Sequence, residues 1–150
     1  MTKYTILLDT SGSMYGDWGE KLESLNLAYN AILAGLKQLT PLPLVAVMTL
    51  PSQDPQKFLP ADEIEYKPLS AGGKIAPLQL EVNDEIIILL TDGNFNRKRI
   101  LPNLQKNHTY VIPIGADADL TQLTIITGDK DKVIPPHNAE FLPAYALQKS

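Results

Sequence analysis

Apolar residues fall into two rhythms along this chain. Short unbroken runs alternate with longer stretches in which they recur at three- and four-residue steps. Residues 4–8 (Tyr-Thr-Ile-Leu-Leu) form one run and residues 44–50 (Leu-Val-Ala-Val-Met-Thr-Leu) a second. Residues 85–91 (Glu-Ile-Ile-Ile-Leu-Leu-Thr) carry the strongest strand signal and predict the centre of a sheet. Residues 109–114 give another strand and 132–134 a short last one. Continuous runs, in place of strict alternation, mark strands buried on both faces. Between them, residues 20–39 read as a helix. Leu22, Leu25, Leu27, Ala28, Ile32, Leu33 and Leu36 make its apolar stripe, and Pro41 and Pro43 stop it. Further helices are predicted over 96–106, where Pro102 restricts the start, over 120–127 and over 138–148. Residues 51–60 read as a loop or hairpin rich in Pro, Asp and Gln. Residues 57–59 and 63–66 are candidate edge pieces. Residues 75–82 have room for no more than two helical turns, with Pro77 among them.

Strands alternating with helices predict one α/β domain over 1–150, with a central, mostly parallel sheet and helices on both faces. Such a Rossmann-like three-layer α/β/α arrangement binds its ligands at the carboxyl ends of the strands, where strand order reverses. The chain is long enough to bury a substantial core. It has no cysteine, so no disulfide and no thiolate metal site. A formal charge of −4 argues against broad nucleic-acid binding, which needs clustered Lys and Arg against phosphate. No basic segment followed by an apolar stretch opens the chain, and no apolar run approaches the ~20 residues that cross a bilayer. The expectation is a cytoplasmic protein with no membrane contact.

The most informative chemistry follows the first strand: Asp9-Thr10-Ser11-Gly12-Ser13. A carboxylate and two hydroxyls at alternate positions form an oxygen-rich claw, the donor type that hard cations such as Mg²⁺ select. Two more loops are expected to converge on it, around Gly72-Gly73-Lys74 and around Thr91-Asp92-Gly93. Ser11 and Ser13 offer neutral hydroxyl oxygens. Asp9 and Asp92 can ligate directly or hold bound water. A cation with mostly neutral ligands keeps much of its charge and favours a carboxylate from another molecule. That suits a reversible, metal-bridged protein contact.

These three motifs, in this order and spanning essentially the whole chain, resemble the von Willebrand factor A (vWA) domain. Its metal-ion-dependent adhesion site (MIDAS) joins Asp-x-Ser-x-Ser to a Thr and an Asp on later loops. The resemblance implies a protein-binding module without catalytic activity of its own. It implies Mg²⁺, or Mn²⁺ or Ca²⁺ in its place, at Asp9, Ser11, Ser13 and Asp92, bridged by an acidic side chain of a partner protein. The short stand-alone form is similar to bacterial tellurite-resistance-associated (TerY-like) proteins, which brings in stress response and signalling.

The departure from the pattern is Lys74, where Gly-Gly-Thr is expected. A charged lysine cannot ligate Mg²⁺, and its nitrogen reaches roughly 6 Å from Cα. Three outcomes stand open. The ammonium could take the metal's place between Asp9 and Asp92, since facing carboxylates need a cation between them. Lys74 could instead point to solvent while water fills the missing ligand position. Ser70 could supply a hydroxyl from a shifted loop.

Other features admit plainer readings. Asp-Thr-Ser-Gly alone is also a polar turn, and Asp92 alone a helix cap. Tyr15 and Trp18, after the claw, are either anchors of a partner-binding rim or a lid on the core. Arg97, in the basic run 97–99, is a solvated helix face or part of a basic rim that draws an acidic partner. His108 and His137 have no partners at metal-ligand spacing, and the Met residues read as core filling. Enzyme signatures are missing: no Gly-x-Ser-x-Gly elbow, P-loop or dinucleotide fingerprint occurs. The rivals are a metal-dependent hydrolase using Asp9 and Asp92, which lacks an obvious general base, and a structural subunit whose site has decayed.

Overall fold

The computed structural model describes residues 2–15, 19–50, 57–69, 85–93, 104 and 108–149, with Tyr15 by its backbone only. Among the described residues five strands form one sheet: β1 (Lys3–Asp9), β2 (Leu44–Leu50), β3 (Leu59–Pro60), β4 (Ile86–Thr91) and β5 (His108–Pro113). Their order is β3-β2-β1-β4-β5. β2, β1, β4 and β5 run parallel, and β3 lies antiparallel on the β2 edge. The mainly parallel sheet with covering helices is the predicted class. β1, not β4, sits in the middle. It is flanked by β2 and β4, with Ile6 opposite Val47 on one side and Ile88 on the other. Apolar density reports burial of both faces, which β1 and β4 share, and so cannot rank them.

The strands split their side chains between two cores with a period of two. Tyr4, Ile6 and Leu8 of β1 face the same side as Val45, Val47, Ile86, Ile88, Leu90, Tyr110 and Ile112. That side is covered by α1 (Glu20–Lys37) and by the C-terminal segment, through Leu25, Ala28, Ile32, Leu36, Leu142 and Ala146. Leu7, Met48, Leu50, Ile87, Leu89 and Val111 face the other side. There they meet Leu104 and α2 (Leu120–Thr127), which contributes Leu123 and Ile126. Met14 and Met48 are core residues, as expected.

Several elements differ from the sequence reading. Leu27 is not part of the α1 stripe: it is 67% exposed. At 100° per residue it lies about 200° round the helix from Leu25. Residues 63–66 form no edge strand. Ala61–Glu63 is a 3-10 turn, and Tyr66 beyond it packs its ring on Tyr29 at 5.6 Å. The pairing edge piece is Leu59–Pro60, where an edge position tolerates proline. Residues 132–134 make a single bridge, Val133 to Val111, and no strand. Lys130–Lys132 is a 3-10 turn capped by Asp129, and Pro135 and Pro136 follow, with no N–H to extend a ladder. The C-terminal helix begins later than predicted. Pro136–Phe141 is 3-10, and α3 (Leu142–Lys149) is α-helical. The predicted helix over 96–106 and the stretch 75–82 lie outside the described residues, apart from helical, fully buried Leu104. No helix among the described residues is long and apolar enough to cross a membrane.

Candidate functional site

Strand order reverses between β1 and β4, because the chain steps from β1 to β2 on one side and to β4 on the other. Asp9 is the last residue of β1. Thr91 ends β4 and Asp92 follows it. The register Leu8–Leu90 therefore sets the Asp9 loop beside the Thr91-Asp92 loop, at the carboxyl-end crevice where open α/β sheets bind ligands. Asp9, Thr91 and Asp92 are all fully buried.

Neutral donors hold Asp9. The Ser11 backbone N–H donates to Oδ1 at 2.9 Å, and the Thr91 hydroxyl donates to Oδ2. The Ser11 bond closes a tight turn from carboxylate to backbone two residues on. It directs the chain into the 3-10 turn Gly12–Tyr15, whose Met14 N–H bonds the Ser11 carbonyl at 3.0 Å. Thr10 is tied back to β2 through the Leu50 carbonyl, from its N–H at 2.8 Å and its hydroxyl at 2.6 Å. Burial pushes the Asp9 carboxyl above the usual carboxylate range; the bonds from Ser11 and Thr91 pull it back, and nearby Asp92 pushes it further up.

A charged group holds Asp92. The Lys21 ammonium, from the second residue of α1, lies 3.2 Å from its Oδ2 and 2.8 Å from Oδ2 of Asp117 in the β5–α2 loop. Lys21 is 4% exposed, whereas the Asp117 side chain is 57% exposed. Burial pulls the Lys21 ammonium down, but the bonds to Asp117 and Asp92 outweigh it and leave it raised. The bond from Lys21 holds Asp117 below the usual carboxylate range. Gly115 makes room for the lysine: with φ +90°, a Cβ there would stand 3.0 Å from Lys21 Cε. The Asp92 loop is also pinned to α2. Asp119 donates its N–H to the Asp92 carbonyl at 2.9 Å, and the Gly93 N–H donates to the Thr91 hydroxyl at 3.1 Å.

The hydroxyls of Ser11 and Ser13 lie 3.3 Å apart, Ser11 nearly buried and Ser13 exposed. Adjacent ligands of an octahedral ion with bonds of 2.0–2.1 Å are about 3 Å apart. The separation of the two serine hydroxyls is of the size that neighbouring positions round Mg²⁺ require. Among the described residues, no three His, Asp or Glu side chains group as metal ligands. A hydroxyl-led donor set is what the geometry offers.

Asp9, Ser11, Ser13 and Asp92 are thus brought together. Ser70, Lys74, Trp18 and Arg97 lie outside the described residues, as does the Tyr15 side chain. His108 and His137 are exposed. Lys21 was missed by the sequence reading. Its signal was there, since Lys21, Leu25, Ala28 and Ile32 share one helical face.

Comparison with solved structures bears on the fold. An aerotolerance-related membrane protein from Bacteroides fragilis aligns over the whole of both chains, with a TM-score of 0.62 at 12% identity. A von Willebrand factor type A structure from Catenulispora acidiphila aligns over 93% of this chain and 40% of its own, with a TM-score of 0.57 at 17% identity. The chain has the vWA fold. Manganese-loaded TRAP protein from Plasmodium vivax aligns over 85% of this chain and 63% of its own, at 14% identity and a TM-score of 0.58. No protein-family model matches the sequence. No curated protein matches it either. At these identities the likeness is one of fold. On that fold, Asp9 ends one of the two strands that flank the switch point and Asp92 directly follows the other.

Proposed function

We propose that this vWA-like domain is a protein-interaction module that recognises a partner through a MIDAS-type site at the carboxyl ends of β1 and β4. The observation that carries the reading is the convergence of Asp9, Ser11, Ser13 and Asp92 at the strand-order switch, with the two serine hydroxyls 3.3 Å apart. Ser11 and Ser13 would ligate Mg²⁺ or Mn²⁺, while Asp9 and Asp92 would ligate it or orient its waters. A bound ion would supply a Lewis-acidic position for a carboxylate of the partner. The protein's part is to hold both loops in place, through Thr10 on β2 and Asp119 on α2. On this reading the chain binds and does not catalyse. Manganese in the fold neighbour from Plasmodium is in keeping with it. A cytoplasmic role in bacterial stress response or signalling belongs to the reading through the tellurite-resistance resemblance. The test is capture of interacting proteins from native lysate in Mg²⁺ and in EDTA, with wild type and Asp9→Ala. A defined protein retained by wild type in Mg²⁺, and lost with EDTA or Asp9→Ala, supports the reading. The same proteins retained in all four arms contradict it.

A further inference from the structure

Lys21 has no part in the vWA motif, yet its ammonium is buried against a carboxylate of the candidate ion site. Burying a lysine is expensive unless its charge is paired. Here the pairing is double, to buried Asp92 at 3.2 Å and half-exposed Asp117 at 2.8 Å. The stem passes close over Gly115, where a Cβ would stand 3.0 Å from Lys21 Cε and the φ of +90° favours glycine. The two buried carboxylates of the crevice are therefore treated differently. Asp9 receives hydrogen bonds from an amide and a hydroxyl, while Asp92 receives a formal positive charge.

We infer that Lys21 is a resident counter-cation that sets the ion affinity of the site: it supplies Asp92 with positive charge that a divalent ion would otherwise supply, and so keeps divalent binding weak and reversible. The inference rests on the ion-site reading above. Two like charges in one low-dielectric crevice oppose one another, so an ion entering beside Asp9 and the serines meets the field of the ammonium. A built-in ammonium at Lys74 is one of the three outcomes open from the sequence, and Lys74 lies outside the described residues. The described residues place one at Lys21, in the first turn of α1. Lys21 acts as a positioning and charge-setting residue, with no contact to a reacting group.

The experiment is titration of Mn²⁺, and of Mg²⁺ in competition, into wild type, Lys21→Met, Lys21→Arg and Asp9→Asn, read by calorimetry and by the ion-induced rise in Tm. Methionine keeps the apolar stem and removes the charge, and is expected to tighten Mn²⁺ binding by about tenfold or more. Arginine keeps the charge and is expected to stay within about threefold of wild type. If Lys21→Met is unfolded in EDTA, Mn²⁺ is expected to restore its circular dichroism spectrum; failure to restore it overturns the inference. Equal affinity in wild type and Lys21→Met, abolished by Asp9→Asn, overturns the role of Lys21 and leaves the ion site standing. Absence of binding in both wild type and Lys21→Met overturns the inference and the ion site together.

Discussion

The loops after β1 and β4 meet at one crevice, and each buries a carboxylate completely. They neutralise it by different means. Asp9 at the end of β1 has a backbone amide and the Thr91 hydroxyl, which stabilise a negative charge without cancelling it. Asp92 after β4 has the Lys21 ammonium. On the proposed reading, and among the described residues, the half of the site built by β1 has no resident cation, and the half built by β4 has Lys21. A divalent ion is thus expected to lean on Asp9, Ser11 and Ser13, with Asp92 in a supporting place.

The sharpest way to break this comparison is to remove the charge on each side. Asp92→Asn leaves a buried ammonium facing Asp117 alone among the described residues, and is expected to cost about 3 kcal/mol in urea unfolding. Thr91→Val strips Asp9 of a donor and the Gly93 N–H of its acceptor, both buried. It is expected to cost about 1–3 kcal/mol by the same measurement. Asp9→Asn orphans no charge among the described residues, where its partners are neutral, and is expected to change ion-free stability by about 1 kcal/mol or less. If Asp9→Asn proves as costly as Asp92→Asn, the two halves are not distinct.

Alkaline pH probes the β4 half more gently. Lys21 is raised in the folded state. Tyr29 is pushed up to about 12, by burial first and then by its neighbour Tyr66. Both bind their protons more tightly when folded. The stability they contribute is fully present below about pH 10, near the unfolded values, and is lost as pH rises through the folded ones. A Tm that falls from pH 10 to 12, with Tyr29 ionising late by tyrosinate absorbance, is the expected result. Lys21→Met should flatten part of that fall. Acid gives the smallest effect. Asp117 is held low by Lys21, so its contribution is present above about pH 4 and disappears as pH falls through its folded value. Solvent at that half-exposed side chain screens the pair.

Much of this was legible along the chain. Asp9-Thr10-Ser11-Gly12-Ser13 and Thr91-Asp92-Gly93 announced themselves because each follows an uninterrupted apolar run, and parallel strands put such exits at one edge. The period-two division of β1, β2, β4 and β5 between two cores follows from the same runs. What the sequence concealed was orientation. Leu27 counts as apolar but faces solvent, and Lys21 counts as charged but faces the core, because direction on a helix depends on angle and not on residue type. Residues 132–134 failed as a strand for a related reason. Their local pattern permits pairing, but the prolines behind them end the ladder.

Mg²⁺ titrated by calorimetry into wild type and into Asp9→Asn tests the central claim most directly. Saturable one-to-one binding in wild type, absent in Asp9→Asn, is the predicted outcome. Identical isotherms for the two proteins, or no saturable binding in wild type at millimolar Mg²⁺, would contradict it.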